Sequence, residues 1–453
     1  MATERLNACA GRILARATRP VDGASLAAFR IAFGTLTFVA IARHLAYGWV
    51  TAFYVEPRVF FPYPGLEWIV PPPAAGMYAL YAGLAGCAAA IAVGARTRLA
   101  AALFGLGFTY VHLIDRANYL NHYYLVSLVS ALLVAVPAGA AWSLDARRRG
   151  AAAVPAWAVW VLRAQLGVVY VFGAVAKCNP DWLLNAQPLR VWLGASADLP
   201  LGGAWLEETW VAYAFSYAGL LFDAAIVPLL SWRRTTALAY AGVLTFHVLT
   251  AILFPIGMFP WLMIALTPIF FAPDWPRRLL RSASQVPRAA GAYGWRGAPL
   301  LAMLWILVQV AVPLRHVVYD GDLYWHEAGF RWAWQIMVME KYGRAVFTVS
   351  DPQSGASWTV HPGEELTPLQ EHMMASQPDM VLSYAHLVAA RFAERVGHPV
   401  QVHGEVLVTL NGRPHAPLVD PGVDLAALPD GAAPSRWLLP HPDRRDKRLR
   451  TKD

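Results

Sequence analysis

The stretch YVFGAVAKCNPDW, Tyr170 to Trp182, sets an apolar run against a single lysine, Lys177, and then stops it with Asn179-Pro180. Proline lacks the amide proton that a helix needs, so the Asn-Pro pair is a natural helix end. A lysine at such an end usually snorkels to an interface. Whether Lys177 does so depends on what surrounds it.

The surroundings are apolar. Of the 453 residues, 57% are hydrophobic and only 15% are charged, and the mean hydropathy is +0.40, a balance foreign to soluble domains. About 20 apolar residues are needed to cross about 30 Å of hydrocarbon. Windows of that kind lie near 24–47, 74–94, 98–115, 122–138, 155–176, 208–231, 235–254, 257–272 and 298–315. The expected fold is therefore an α-helical polytopic membrane domain of about nine transmembrane helices over 1–315. A mixed α/β extracytoplasmic domain with β-hairpins would follow over 316–443, and then a basic, disordered tail over 444–453.

The N-terminus carries Arg5, Arg12, Arg16 and Arg19 with no apolar core, so the first span is expected to act as an uncleaved anchor. Arg96 and Arg98, Arg147 to Arg149, Arg233 and Arg234, and the group Arg277, Arg278, Arg281, Arg288 and Arg296 all fall in alternate loops. By the positive-inside rule these loops and the N-terminus are cytoplasmic, and an odd number of spans places the C-terminal domain outside, as in a bacterial inner membrane. The net charge of +8 is explained by these loops, and nucleic acid is set aside as a partner. Cys9, Cys87 and Cys178 have no metal-ligand spacing.

In the C-terminal region, EVLVTLNGRPHAPLV alternates apolar and polar residues around Asn411-Gly412, a two-residue turn signal, and RAVFTVSDPQSGASWTV reads as a second hairpin. PDMVLSYAHLVAARFAERVG has helical spacing and ends at Gly397.

Ionisable groups within a span cost roughly 2.5–3.5 kcal/mol each, so each needs a partner or a task. Arg30, Arg163 and Asp223 fall about 9–12 Å inside the cytoplasmic ends of their segments at 1.5 Å per residue, and Asp223 is expected to pair with Arg30 or Arg163, or both. At the opposite membrane level, Asn121 and His122 begin the fourth segment, Lys177 closes the fifth, and His247 lies in the outer part of the seventh. A lone histidine in a helix is usually packed and hydrogen-bonded. Three titratable side chains at one depth point instead to a common site. Desolvation favours a neutral amine, which can act as a general base on a lipid-soluble acid such as a quinol. Histidine and asparagine donors could then stabilise the oxyanion. No HxxxH or HxxEH spacing supports a metal.

The chain resembles the vitamin K-dependent gamma-carboxylase family, whose bacterial members are the horizontally transferred transmembrane domain (HTTM) proteins. The resemblance rests on FRIAFG, NHYYL, VLRAQLGVVYVFGAVAKCNPDW, LLFDAAIVPLL, FHVLTAILFPIGMF, PIFFAPDWPRRL, RWAWQIMV and NGRPHAPLVDPGVDL in that order. It implies an integral membrane lyase that couples oxygenation of vitamin K hydroquinone, or menaquinol, to its epoxide with carboxylation of glutamate. O2 and CO2 would be co-substrates, with no metal. The partners would be the quinone in the bilayer, the lipid membrane itself and a glutamate-containing protein or peptide.

By motif position the resemblance assigns the base to Lys177 and supporting roles to His122, Asn121 and His247. Three departures stand out. Ala176 replaces the first of two adjacent lysines of the animal enzymes, Phe330 stands where they have a tyrosine, and the cysteines of their interdomain disulfide are absent. The alternatives are a quinol epoxidase that carboxylates no protein, and a non-catalytic membrane scaffold or carrier in which these residues only settle helix packing.

Overall fold

The computed structural model describes residues 11–198, 203–281 and 297–441. The basic tail from Arg444, together with Arg5, Cys9, Arg288 and Arg296, lies outside the described residues.

The N-terminal part is a bundle built around one helix. In chain order it comprises α1 (Ala24–Ala46), α2 (Ala74–Val93), α3 (Thr97–Leu113), α4 (Asn121–Ala135), α5 (Ala156–Lys177), the short α6 (Pro180–Asn185) and α7 (Leu189–Gly194), α8 (Thr209–Ser231), α9 (Thr236–Leu253), α10 (Phe259–Leu266) and α11 (Ala298–Leu314). Helix α5 is the most enclosed, with α8 and α11 packed on it. Helix α11 faces outward along nearly its whole length, as a helix in lipid does.

The chain is a multi-pass membrane protein, but six helices among the described residues are long and apolar enough to cross a bilayer. The expected count of nine is not reached. Where further spans were expected, α3 has 17 residues, α4 has 15, and α10 has 8 before a 3-10 turn. The physical reason is local. Val136, extended ahead of Pro137, ends α4 early at Ala135, Gly257 turns with φ of 64° just before α10, and Thr267-Pro268 ends it.

The C-terminal part carries a four-stranded antiparallel sheet of order β2-β1-β3-β4, with β1 (Lys341–Ser350), β2 (Ser357–Val360), β3 (Gln401–Leu410) and β4 (Ala416–Pro417). Ser350 opposes Ser357 across the first hairpin and Val408 opposes Ala416 across the second. At the turn of the second, Asn411 and Gly412 adopt φ of 53° and 74°, the left-handed pair that Asn-Gly tolerates best. Helices α12 (Pro368–Ser376) and α13 (Pro378–Val396) cover the sheet, and Gly397 ends α13 at φ of 83°. The sheet alternates strictly: Ala345, Phe347 and Val349 of β1 and Val402, Val406 and Val408 of β3 are buried together.

Domain docking uses polar groups brought from both sides. Gln370 closes a capping box with Thr367, and its Nε2 also donates to Val59 O and to Asp115 Oδ2, each at 2.7 Å. Arg116 reaches Asp379 at 2.8 Å and Ser383 at 2.6 Å. Asp115, in the loop between α3 and α4, is buried. Burial pushes its carboxyl up from 3.8 to about 6, against the opposing pull of the Ala117 amide and Gln370.

A carboxyl raised on folding binds an extra proton in the native state between those two values. Stability contributed by this group is therefore greatest at low pH, falls as pH rises through about 4 to 6, and stays flat above. Thermal midpoints of the detergent-solubilised protein measured across that window are expected to show this decline, and Asp115→Asn to lose its share of it. An unchanged slope in the variant would exclude Asp115 as the source.

Candidate active site

Lys177 is the last residue of α5, yet it does not reach outward. Its side chain turns back along its own helix, as long helical side chains do, so that Nζ donates to Gly173 O at 3.3 Å and meets Asp223 Oδ2 of α8 at 2.7 Å. Both side chains are over 90% buried. The Trp182 ring, from α6, lies 5.2 Å from Nζ and is fixed by its Nε1 donating to Ser216 O at 2.8 Å. Two glycines make room. A Cβ on Gly173 would sit 3.0 Å from Asp223 Oδ2, and one on Gly219 would touch the Lys177 stem and the Trp182 ring.

This geometry corrects the expected pairing of Asp223 with Arg30 or Arg163. Arg30, fully buried, donates to the carbonyls of Ile91, Ala92, Ala138 and Trp142 at 2.5–3.1 Å, and Arg163 to those of Ile269 and Phe271 at 2.8 Å. Helix ends inside a membrane leave carbonyl groups with no water to satisfy them, and a guanidinium with five donors is suited to that task. Counting charges missed these acceptors because they belong to the backbone.

His247 of α9 is buried with Lys177. Its Nε2 and the Tyr170 hydroxyl of α5 are 3.1 Å apart, and its Nδ1 has no hydrogen-bond partner among the described residues. Tyr170, Lys177, Trp182, Asp223 and His247 line a small apolar cavity of about 80 Å³. Asn121 and His122 do not enter it. They line a neighbouring cavity of about 450 Å³ with Arg43, His44, His112 and Tyr123. The single pocket expected for Lys177, His122 and His247 is thus two adjoining chambers.

Their common wall is Ile256, Phe259, Ile336 and Met337. The Phe259 ring touches both histidines, with centroids 6.3 Å from His122 and 6.1 Å from His247. Ile336 and Met337 belong to the strap RWAWQIMV that follows α11. Trp332, Trp334 and Met337 of the strap have φ of 65°, 53° and 53°, a conformation that costs a non-glycine residue about 1–3 kcal/mol and persists where the surroundings enforce it. Here Trp334, fully buried, stacks on Tyr124 at 4.9 Å, the Trp332 amide donates to Tyr119 at 2.7 Å, and Arg331 binds Asp379 at 2.6 Å.

Asn121 is tied to the same strap. Its Nδ2 donates to Gln335 O at 3.4 Å while its Oδ1 accepts from Tyr119 at 3.1 Å. His44, His112, Tyr123 and Tyr170 were not singled out from the sequence. His44 Nε2 and the Tyr123 hydroxyl are 3.2 Å apart, and His112 Nε2, in the large chamber, has no partner among the described residues. Only the fold shows that His44, His112 and Tyr123 share the large chamber while Tyr170 lines the small one.

Two family models match the chain in tandem. The HTTM domain covers residues 18–275, and the vitamin K-dependent gamma-carboxylase, lumenal domain, covers residues 298–444. No solved structure matches significantly.

The buried pair makes an asymmetric prediction about stability. Asp223→Leu leaves the Lys177 amine without its partner and is expected to cost about 3–5 kcal/mol, whereas the double variant Lys177→Met with Asp223→Leu recovers most of it. Thermal unfolding in detergent measures both. Equal losses in the single and double variants would mean that the pair is not coupled.

Proposed function

The chain belongs to the HTTM domain family and continues into the lumenal domain of the vitamin K-dependent gamma-carboxylases, and we propose that it is a membrane enzyme of that type, oxygenating a reduced quinone to its epoxide while carboxylating glutamate in a protein or peptide. The observation that carries the reading is the Lys177–Asp223 pair at 2.7 Å, held in an apolar chamber beside His247 Nδ1, which has no partner among the described residues. A scaffold gains little from a buried ion pair, which packed apolar residues often replace without loss.

The residues suit a reduced quinone such as vitamin K hydroquinone or menaquinol. The large chamber has the size and apolar, aromatic lining of a small-molecule site, and each chamber offers one buried histidine nitrogen without a partner among the described residues. The two chambers meet at Phe259 and Met337, so a ring bound against that wall reaches both sets of polar groups. Bound there, the quinol supplies two electrons and, with O2, the strong base that takes the glutamyl γ proton before CO2 adds.

The protein's own part is proton handling and orientation. Asp223 accepts the ammonium proton across the hydrogen bond and leaves Lys177 a free amine, which takes the hydroxyl proton. The pair then holds one proton on each partner. His247, oriented by Tyr170, presents Nδ1 to the developing oxyanion, and such fixed donors cost no reorganisation during reaction. Asn121, engaged by Gln335 and Tyr119, holds the strap in place. In this reading the shorter α3, α4 and α10 also cross the membrane, which leaves the C-terminal domain on the side opposite the arginine-rich loops, where the peptide substrate is met.

Oxidation without carboxylation is the second reading. It is favoured by Phe330, which brings no hydroxyl to the strap and packs edge-on against Tyr324.

The test is purified protein with reduced vitamin K, O2, labelled bicarbonate and a Glu-rich peptide. Label in the peptide together with epoxide supports the first reading, epoxide alone the second, and neither product would return the chain to a scaffold role. Lys177→Ala is expected to lower epoxide formation on the order of 10²–10⁴-fold, the range typical of a lost general base, while the stranded Asp223 carboxyl takes up a proton, so that the protein stays folded at reduced stability. Normal epoxide from that variant would remove Lys177 from the chemistry.

A further inference from the structure

The Asn411-Gly412 turn of the C-terminal sheet lies on the helix that follows Lys177. Arg413 grips the Asp181 carboxylate with both arms of its guanidinium, Nη1 to Oδ2 at 2.8 Å and Nη2 to Oδ1 at 2.5 Å. Asn411 Nδ2 donates to the same Oδ2 at 2.7 Å. Three donors from one hairpin turn thus converge on one carboxylate of the membrane bundle. A planar fork on a carboxylate fixes direction as well as distance.

Asp181 is one residue from Trp182, the ring over the Lys177 amine, and both sit in the single short turn of α6. That turn is bonded to the end of α5: Asn179 Oδ1 accepts from the Trp182 amide at 2.9 Å, and Asn179 Nδ2 donates to Ala176 O at 2.8 Å. Tyr324 adds a second donor to Ala176 O at 2.9 Å. The same Asn411 also binds Glu340, two residues past the end of the strap, with Oδ1 accepting from the Glu340 amide at 2.9 Å and its own amide donating to Glu340 O at 2.8 Å. One turn therefore touches both the segment that follows the strap and the helix that carries the lysine's ring.

Burial agrees with a firm contact. Asn411 is 3% exposed, and a Cβ on Gly412 would meet Gln187 and Val191 of the α6–α7 segment at 3.4 and 3.5 Å. Ala176, Trp182, Leu189 and Val338 share a small apolar core beneath.

We infer that Arg413 and Asn411 are positioning residues for Lys177, acting through Asp181 and Trp182 to hold the amine against Asp223. The catalytic lysine of the membrane bundle is on this view registered by the C-terminal sheet. The inference rests on the function proposed above for Lys177, and the experiment separates the two.

In the full chain, Arg413→Gln is expected to lower kcat for epoxide formation on the order of tenfold to a hundredfold, as small misplacements of a reacting group do. The KM for reduced vitamin K would stay the same. Arg413→Lys, which keeps the charge, is expected to retain most of the activity. A nitroxide on Cys178, exposed beside Lys177, in a chain carrying Cys9→Ser and Cys87→Ser, reports the turn independently of catalysis. It should become more mobile in Arg413→Gln and much less so in Arg413→Lys.

Unchanged kcat, an unchanged nitroxide spectrum, or equal losses in both variants accompanied by a lowered unfolding temperature would each overturn the positioning role. If the wild-type chain makes no epoxide, the proposed function fails, and the nitroxide spectra alone decide whether the turn holds the lysine helix.

Discussion

A charged lysine and a charged aspartate buried in a helix bundle within a membrane can exist only together, and much of the bundle's local design follows from that pairing. Lys177 must turn inward, so Gly173 and Gly219 must lack side chains where the two helices approach. Trp182 must cover the amine, so the chain must break at Asn179-Pro180 and start a new short helix in the right direction. Helix α5 must be the enclosed one, and the others are arranged about it. Removing either charge strands the other in a medium that cannot solvate it.

The sequence shows the broad architecture because its signals there are local. Runs of apolar length mark the bundle, alternation about Asn411-Gly412 marks a hairpin, and Pro378 to Gly397 brackets a helix. The number of full-length spans was less legible. Hydropathy windows measure composition, whereas the end of a helix is set by a turn or a proline inside an apolar run, as at Gly257 and Thr267-Pro268. For the site, Lys177 and His247 could be placed near one another from topology, since each lies toward the same end of its helix. The partner of Asp223 could not. Depth along a segment assumes helices whose ends are level, but α8 extends past the end of α5 and brings its fifteenth residue to Lys177.

Arginine illustrates the same limit. Arg30 and Arg163 look like counter-ions in a sequence because carboxylates are the visible acceptors. In the fold, the stronger demand comes from carbonyl groups at the ends of neighbouring segments. These are chemically identical at every residue and acquire significance only through position. The division of the polar residues into two chambers is illegible for a related reason: the dividing wall comes partly from Ile336 and Met337, about 160 residues beyond Lys177 in the chain.

That wall has a bearing on how the protein is made. The helices α1 to α10 emerge from the ribosome before the strap does, and until Trp332 and Trp334 are forced into their left-handed turns against Tyr119 and Tyr124 the two chambers share an open boundary. The enforcing contacts at Arg331 come from Gln377 and Asp379, later still in the chain. An incomplete chain thus has the lysine and the histidines without the partition between them, and the compartments become separate only once the C-terminal domain has folded and docked. Synthesis itself orders the assembly of the site, and a truncated product is left with a cavity of the wrong shape.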